Sequence, residues 1–186
     1  MTDIIVPIWS PNIPQEKLAK LVLALTQHTD NYRLILCGSS KSQPKNINYG
    51  LKIAKSKYIV ILDWDVYVSD GWLDQLIDDL KNNKEIGIIG AKMIGKYTGL
   101  NSQSNILQEW PTLAGGCMVF KNIGLRWDEN FPSGYWADTD FCRQYKEKGY
   151  QVWIDGTVEV EHEIHTSGSS EEGEKYYLHK WGDSNL

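Results

Sequence analysis

The chain has 186 residues, a formal net charge of −5 and a hydrophobic fraction of 41%. These values predict one globular domain over residues 1–186, and they disfavour nucleic-acid binding, which depends on Lys and Arg contacts to phosphate. No apolar run is long enough to span a bilayer, and the N-terminus lacks the basic start of a signal peptide. Because the three cysteines are isolated in the sequence, we expect free thiols in a cytoplasmic protein.

The first third of the sequence alternates between strand and helix patterns. Short apolar runs predict strands at Ile4–Ile8, at Tyr32–Cys37 and from Tyr58 onward. A second helix is predicted over Asn48–Lys55. The first helix has one apolar stripe, formed by Leu18, Leu21, Val22 and Leu25. This alternation is typical of parallel strands joined by right-handed crossovers.

The middle of the chain continues the α/β pattern. Asp70 is the predicted N-cap of a helix that carries five apolar residues on one side, and Ile86–Met93 is the next strand. The polar stretch Gly95–Glu109 has no clear periodicity, and loops of that length are commonly functional. A further strand is predicted within Leu113–Lys121, which begins its apolar run after two glycines.

The last part of the chain is predicted to contain one helix and two short strands. The helix covers Thr139–Lys148 and ends at Gly149, a residue suited to a left-handed cap. The strands lie at Gln151–Ile154 and Val158–Val160. The polar and acidic composition after them predicts a flexible segment over residues 166–186.

Two carboxylates, Asp63 and Asp65, end the third predicted strand. In open α/β sheets, ligands bind outside the carboxyl ends of the strands. Carboxylates at positions i and i+2 repel each other unless water or a cation screens them, and Mg²⁺ or Mn²⁺ prefers such oxygen ligands. This segment alone is compatible with a divalent-metal site and equally with a solvated acidic turn.

Other polar residues follow predicted elements of the same sheet. Asp138 and Asp140 stand at the start of a helix, where carboxylates are favoured by the backbone N–H groups alone. His162 and His165 follow the last strand, and an imidazole beside carboxylates is a plausible Mn²⁺ ligand set. Asn48 is in the helix that precedes the strand ending at Asp63 and Asp65. A polar side chain there is expected to contact a ligand at the edge of the sheet.

The order of these motifs resembles that of the inverting family 2 glycosyltransferases, which have the GT-A fold. The resemblance extends over nearly the whole chain, from the first strand to Trp181. The matching segments are Asn48-Tyr49-Gly50, Tyr58 to Asp65, Gly71-Trp72-Leu73, Gly115-Gly116-Cys117, Trp136 to Phe141, Val158 to His162 and Lys180-Trp181-Gly182. The resemblance implies a GT-A (Rossmann-like) α/β domain whose mostly parallel central sheet has helices on both faces.

The resemblance also implies an activity and a set of ligands. The expected reaction is metal-dependent transfer of a sugar, with inversion, from a nucleotide-diphosphate sugar to an acceptor hydroxyl. The expected cofactor is Mn²⁺ or Mg²⁺. The acceptor class stays open among a glycan, a lipid-linked sugar and a nucleic acid, and no integral membrane segment is expected.

The resemblance assigns a role to each matching residue. Asp138 would be the general base, and Asp65 would bind the metal together with Asp63 and His162, with His165 as the alternative ligand. Donor contacts are expected from Pro7, Trp9, Ser39, Asn48, Asp63, Trp64, Asp65, Gly115 and Gly116. Acceptor contacts are expected from Trp110, Trp136 and Asp140.

Three other functions are alternatives to the one that this resemblance implies. Ala137 stands where the family often has an acidic residue before its base, which leaves room for a non-catalytic carbohydrate- or nucleotide-sugar-binding module. A DNA-modifying glycosyltransferase would use the lysine run Lys41, Lys45, Lys52, Lys55 and Lys57. A sugar-nucleotidyltransferase is disfavoured, because no glycine follows the first strand. The second strand ends at Cys37-Gly38-Ser39-Ser40 without the aspartate that usually reads the nucleobase, so the base stays open.

Overall fold

The computed structural model describes residues 1–9, 13–95, 101, 103–132, 134–163 and 170–182. These residues form eight strands in one sheet: β1 (Thr2–Pro7), β2 (Tyr32–Cys37), β3 (Tyr58–Leu62), β4 (Val66–Tyr67), β5 (Ile86–Gly95), β6 (Leu107–Glu109), β7 (Cys117–Lys121) and β8 (Gln151–His162). They also form five helices: α1 (Gln15–His28), α2 (Gln43–Ile53), α3 (Trp72–Asn82), α4 (Ala137–Glu147) and α5 (Glu171–Trp181).

The sheet is mixed, with strand order β2-β1-β3-β7-β5-β8-β4 and with β6 paired to β8. β1 pairs in parallel with β2 and β3, and β5 pairs in parallel with β8. β7 runs antiparallel between β3 and β5, so β1, β2, β3, β5 and β8 all share one direction. The predicted α/β class is confirmed, with a mixed sheet in which these five strands run in one direction.

Helices cover both faces of this sheet. On one face, α1 and α3 contribute Leu21, Leu25 and Leu76 to a buried cluster that also contains alternate strand residues. On the other face, α2, α4 and α5 cover a second cluster, to which Phe141 and Tyr177 belong. Because successive strand residues point to opposite faces, the central strands are apolar throughout.

Three helices begin at residues other than those predicted, and one of them, α4, begins at Ala137 in place of Thr139. α2 starts at Gln43, since the Ser42 hydroxyl accepts a bond from the Lys45 N–H and Pro44 suits the first turn of a helix. α3 has Gly71 as its N-cap, with φ of 74°, in place of Asp70. On α1, Val22 is 36% exposed, so the apolar stripe is narrower than its sequence spacing predicts.

The C-terminal elements differ from their prediction in two ways. The two short strands are one strand, β8, whose register against β5 shifts between Ala91 and Lys92. A helix, α5, lies within the segment expected to be flexible, and its Tyr177 is 0% exposed. Residues 166–169 and 183–186 of that segment lie outside the described residues. In the part of the chain that the structure describes, no helix has the length and apolarity to cross a membrane.

Candidate active site

The acidic pair lies in a tight turn between β3 and β4. The Asp63 N–H donates to the Gly116 carbonyl at 2.9 Å, which extends the pairing of β3 with β7 by one residue. The Val66 N–H then donates back to the Asp63 carbonyl at 3.1 Å and closes the turn. Asp63 is half-buried, whereas Asp65 is only 4% exposed. The turn therefore holds both carboxylates at the carboxyl end of β3.

The end of β8 brings His162 to the same turn. Val66 of β4 is paired with His162, and the Glu163 N–H donates to the Asp65 carbonyl at 3.0 Å. His162 Nε2 lies 3.5 Å from Asp65 Oδ1. One ligand atom from each of Asp63, Asp65 and His162 lies within 4.8 Å of the others. The antiparallel β4–β8 pair thus unites residues that are almost a hundred positions apart.

The charges in this cluster are strongly coupled. Burial raises the pKa of Asp63 to about 7, with further contributions from the negative charges of Asp65 and Asp138. Burial acts to lower the pKa of His162, but its bond to Asp65 and the charges of Asp63 and Asp65 outweigh burial, so this pKa is raised. Among the described residues, this cluster has two carboxylates and one imidazole, an excess of negative charge that favours a cation.

The donor set fits a divalent metal ion such as Mn²⁺ or Mg²⁺. Two carboxylates and one imidazole are the ligand types that Mn²⁺ accepts. In addition, no group among the described residues forms a hydrogen bond with the buried His162 Nδ1, so this ring has an unused ligand atom. His165, the alternative ligand, lies outside the described residues.

Asp138 lies in the first turn of α4, where two backbone groups hold its carboxylate. The Gly115 N–H donates to Oδ2 at 2.9 Å, and the Thr139 N–H donates to Oδ1 at 2.8 Å. Burial raises the pKa of Asp138 to about 6, although both N–H donors act to lower it. The carboxylate therefore has a fixed orientation and a pKa close to neutral.

Gly115 and Gly116 connect the two halves of the site. The Gly115 N–H donates to the Asp138 carboxylate, and the carbonyl of the following residue, Gly116, accepts from the Asp63 N–H. A Cβ on Gly116 would lie 2.8 Å from Met93 Cε, so a side chain there would displace Met93. The segment that enters β7 thus connects Asp138 to the acidic turn through the backbone groups of these two glycines.

Two residues with contacts in this region, Gln43 and Asn46, are not indicated by the sequence motifs. Gln43, the first residue of α2, donates from Nε2 to Asp63 Oδ1 at 3.0 Å, and a Cβ on Gly134 would overlap its side chain. Asn46 is fully buried and donates to the carbonyls of Ile8 and Ser40, at 2.9 and 2.7 Å. Ser42 followed by Pro44 is a sequence signal for a helix start, and it could have placed Gln43 at the beginning of α2. No sequence signal indicates the long-range contact of Asn46 with Ile8.

Among the predicted donor residues, Asn48 and Trp64 occupy structural positions. Asn48 is 5% exposed, and its amide exchanges hydrogen bonds with the backbone of Trp127 at 2.8 and 2.9 Å and donates to Glu129 at 2.8 Å. The Trp64 ring is 4% exposed in the core. The direct donor contacts expected of these two side chains are therefore corrected to packing roles.

The remaining predicted donor residues line the ends of β1 and β2. Pro7 is buried and is paired with Cys37 across the two strands. Trp9 is half-buried, with its ring centroid 6.4 Å from that of Trp64. Ser39 is exposed, and its hydroxyl donates to Asn46 Oδ1 at 3.5 Å. Trp9 and Ser39 remain accessible at this edge of the sheet.

Asp140 anchors α5 to α4. It is 0% exposed, and Lys180 Nζ and Trp181 Nε1 lie 2.7 and 2.8 Å from its Oδ1. The Gln144 amide donates to its Oδ2 at 2.8 Å. Both carboxylate oxygens are thus occupied inside the protein, so the predicted acceptor contact of Asp140 is corrected to a structural one.

The two tryptophans predicted to contact the acceptor lie in different places. Trp136 is the N-cap of α4, two residues before Asp138, and its ring packs on Tyr177 at a centroid distance of 5.2 Å. The backbone N–H of Trp110 donates to the Val152 carbonyl at 2.8 Å, near the start of β8. Since His162 lies at the other end of β8, the prediction for Trp110 is corrected, and Trp136 alone of the two stays near the site.

Lys180→Met is expected to lower the free energy of unfolding by about 3–5 kcal/mol, because Asp140 would lose its buried cation. Lys180 also lies 2.8 Å from Asp128, which would lose an ion pair as well. Lys175→Met on the same helix is the control, since its pair with Glu171 is exposed and such pairs contribute about 0.3–0.5 kcal/mol. Urea unfolding measures both, and equal losses would contradict the anchoring role.

The fold has counterparts among solved structures. GalNAc-T7, crystallised with UDP, GalNAc and Mn²⁺, superposes with a TM-score of 0.74 at 12% identity, over 95% of this chain and 47% of that one. TarS from S. aureus gives 0.69 at 11% identity, over 88% of this chain and 36% of that one. The TarS 1-349 structure gives 0.66 at 12% identity, over 87% and 60%. The chain thus spans less than two thirds of each.

These superpositions identify the architecture as the GT-A fold of glycosyltransferases. The family model for glycosyl transferase family 2 matches residues 14–133, which is more than half of the chain. The protein therefore belongs to glycosyl transferase family 2. No curated protein sequence gave a match.

Proposed function

We propose that this protein is a metal-dependent, inverting glycosyltransferase that uses a nucleotide-diphosphate sugar. The observation that carries the proposal is the junction at Gly115 and Gly116, which holds the Asp138 carboxylate beside the Asp63, Asp65 and His162 cluster. A base next to a set of metal ligands suits inverting transfer from a diphosphate-linked sugar, because the base activates the acceptor and the metal stabilises the leaving group. The proposal treats residues 1–186 as one domain.

Asp138 is the general base of the proposed reaction. Its two oxygens each accept one backbone N–H bond, which leaves lone pairs free to take the proton of an acceptor hydroxyl. A pKa of about 6 keeps this carboxylate ionised at neutral pH while it remains a stronger base than an exposed aspartate. Attack of the activated oxygen on the anomeric carbon, opposite to the departing diphosphate, inverts the configuration.

Asp65, Asp63 and His162 hold the cation of the proposed site. A divalent ion bound there, as Mn²⁺ or Mg²⁺, neutralises the diphosphate and so stabilises the charge of the leaving group. Gln43 fixes the orientation of Asp63 by its bond to Oδ1. GalNAc-T7, which shares the fold, was crystallised with UDP and Mn²⁺ and supports this choice of ligands.

Aromatic residues before α4 offer a surface for the acceptor. Tyr135 is 41% exposed, and Trp136 is half-buried two residues before the base. Such amphipathic rings suit the apolar faces of sugars. A glycan or a lipid-linked sugar is therefore the proposed acceptor class.

The test is a transfer assay with UDP-, GDP- and dTDP-sugars at saturating Mn²⁺, followed over pH. We expect release of the nucleoside diphosphate, an inverted anomeric centre in the product, and a kcat/KM that rises about tenfold per pH unit until Asp138 is ionised. The sign follows from the base role, because only the ionised form accepts a proton, and the rise should level off above a pH of about 6. Saturating metal keeps Asp63 ionised and removes its titration from the profile. A rate that falls as pH rises through this range would contradict the base assignment.

A non-catalytic binding module on the same scaffold is the second candidate. Ala137 favours it, because this residue is 0% exposed and contributes no charge beside Asp138. The module would bind nucleotide-sugars with Mn²⁺ but would release no nucleoside diphosphate with any acceptor. The transfer assay therefore separates the two candidates.

A further inference from the structure

One exposed face of α2 combines lysines with apolar side chains. Lys45, Tyr49, Lys52 and Ile53 are spaced i, i+4, i+7 and i+8, which places them along one side of the helix. Tyr49 is 51% exposed and Ile53 is 39% exposed. Lys55 and Lys57 follow the helix and are also exposed. We call these six residues the basic–apolar face.

Positive charge is concentrated in this part of the chain. Residues 31–62 contain six basic residues and no acidic one, although the whole chain has a net charge of −5. Elsewhere, lysines such as Lys17, Lys92 and Lys180 are paired with carboxylates. Within the described ranges, no carboxylate lies in ion-pair distance of Lys45, Lys52 or Lys55. Their charge is therefore available to a partner.

The neighbouring loop at residues 122–127 adds one basic and one apolar side chain to this face. The Asn122 N–H donates to the Lys57 carbonyl at 2.8 Å, and the Trp127 N–H donates to Asn48 Oδ1 at 2.9 Å. The chain between these two contacts thus runs alongside α2. It exposes Ile123, at 37%, and Arg126. Beyond Trp127, Glu129 accepts a bond from Asn48 and marks an acidic border.

We propose that the basic–apolar face binds the surface of an anionic lipid membrane. Lysines near such a surface are attracted by its negative potential, and an aromatic and an aliphatic side chain between them can enter the interfacial region. Nucleic acid would use the lysines as well, but exposed Ile53 and Ile123 have no role in contacts to a phosphate backbone. The apolar residues therefore favour lipid.

Membrane binding would also orient the candidate active site. Gln43, the first residue of α2, contacts Asp63, so the helix that carries the face begins beside the acidic turn. Docking would bring this edge of the sheet close to the lipid surface, where a lipid-linked acceptor is found. This last step rests on the proposed transferase function, whereas binding to lipid does not.

Co-sedimentation with phosphatidylcholine vesicles, with and without about 30% phosphatidylglycerol, tests the proposal. The unmodified chain should bind only the anionic vesicles. Lys52→Gln with Lys55→Gln should weaken binding about thirty-fold, because each lysine near the surface accounts for a factor of about five. Tyr49→Ser with Ile53→Ser should weaken binding at unchanged charge. The control is Lys84→Gln with Lys148→Gln, which removes the same charge from exposed positions outside the face.

Three outcomes would overturn the proposal. The unmodified chain could fail to bind anionic vesicles, or the control pair could weaken binding as much as the pair on the face. Alternatively, the chain could bind duplex DNA through Lys52 and Lys55 and show no vesicle binding, which would assign the face to nucleic acid. Transfer to a soluble acceptor should be unchanged in all these variants, so a loss of membrane binding is distinguishable from a failure of the transferase function.

Discussion

Asp138→Asn is expected to lower the transfer rate by a factor of about 10²–10⁴, the usual contribution of a general base. The amide cannot accept the proton of an acceptor hydroxyl at neutral pH. Steady-state turnover of the preferred donor and acceptor measures the loss, and donor affinity should persist because the metal ligands Asp63, Asp65 and His162 are untouched.

The fold should tolerate this substitution. Asparagine retains one oxygen for either the Gly115 or the Thr139 N–H, so one of the two present bonds is lost. Burial disfavours the charged form of Asp138 and raises its pKa to about 6. Because asparagine is neutral, it avoids this cost of burial, which offsets part of the lost hydrogen bond. Asp74→Asn is a matched control, since Asp74 lies in the first turn of α3 behind a left-handed N-cap, as Asp138 does in α4. Turnover of Asp138→Asn close to that of the control would show that another group takes the proton.

Asp65→Ala is expected to abolish the dependence of donor binding on Mn²⁺. Asp65 is the most buried of the three proposed ligands, and its carboxylate also contacts His162 at 3.5 Å. Its loss leaves one carboxylate and one imidazole that no longer has its charged partner. The remaining set is too small to hold a cation that also binds a diphosphate.

Isothermal titration calorimetry of the donor, with and without Mn²⁺, measures this effect. Asp70→Ala is the control, because Asp70 is highly exposed and lies five residues further along the chain. Unfolding in the absence of ligand should change little, since removing Asp65 also removes its repulsion of Asp63. Undiminished Mn²⁺-dependent affinity in Asp65→Ala would place the cation elsewhere.

The sequence predicts the strands of this fold well because buried strands are continuous apolar runs. Tyr32–Cys37 has the predicted bounds, and the third strand begins at Tyr58 as predicted. Helix starts are harder to predict, since α2 and α3 begin at local caps that compete with similar polar residues nearby. The sequence pattern predicts two short strands where the structure has one, β8, because the pattern is interrupted at a bulge. This bulge is a tertiary feature, since it depends on the pairing of β8 with β5.

The candidate site was predictable where strand ends meet. Asp63, Asp65, His162 and Asp138 all follow or precede elements of one sheet, and motif order alone indicates that they converge. Side-chain partners were not predictable in the same way. The burial of Trp64 depends on packing across the sheet, and nothing periodic in the sequence reveals it.

Asp140 and Trp110 also have partners that the sequence does not predict, although both lie close in sequence to residues of the proposed site. Asp140 lies two residues from the proposed base, yet α5 returns from forty residues further along the chain to occupy its carboxylate. Trp110 precedes β7 closely in sequence but lies beside the start of β8. Closeness in sequence to a site residue therefore does not by itself predict that a side chain belongs to the same site.

The central claim is that the acidic turn binds a nucleotide-sugar through a divalent cation. Thermal unfolding of the unmodified chain and of Asp65→Ala, each with UDP-, GDP- and dTDP-sugars and with or without Mn²⁺, tests it most directly. One donor should stabilise the unmodified chain only when Mn²⁺ is present, by about 2.7 kcal/mol at a hundredfold excess over its Kd, and should leave Asp65→Ala unaffected. Equal stabilisation of both proteins, or of neither by any donor, would contradict the claim.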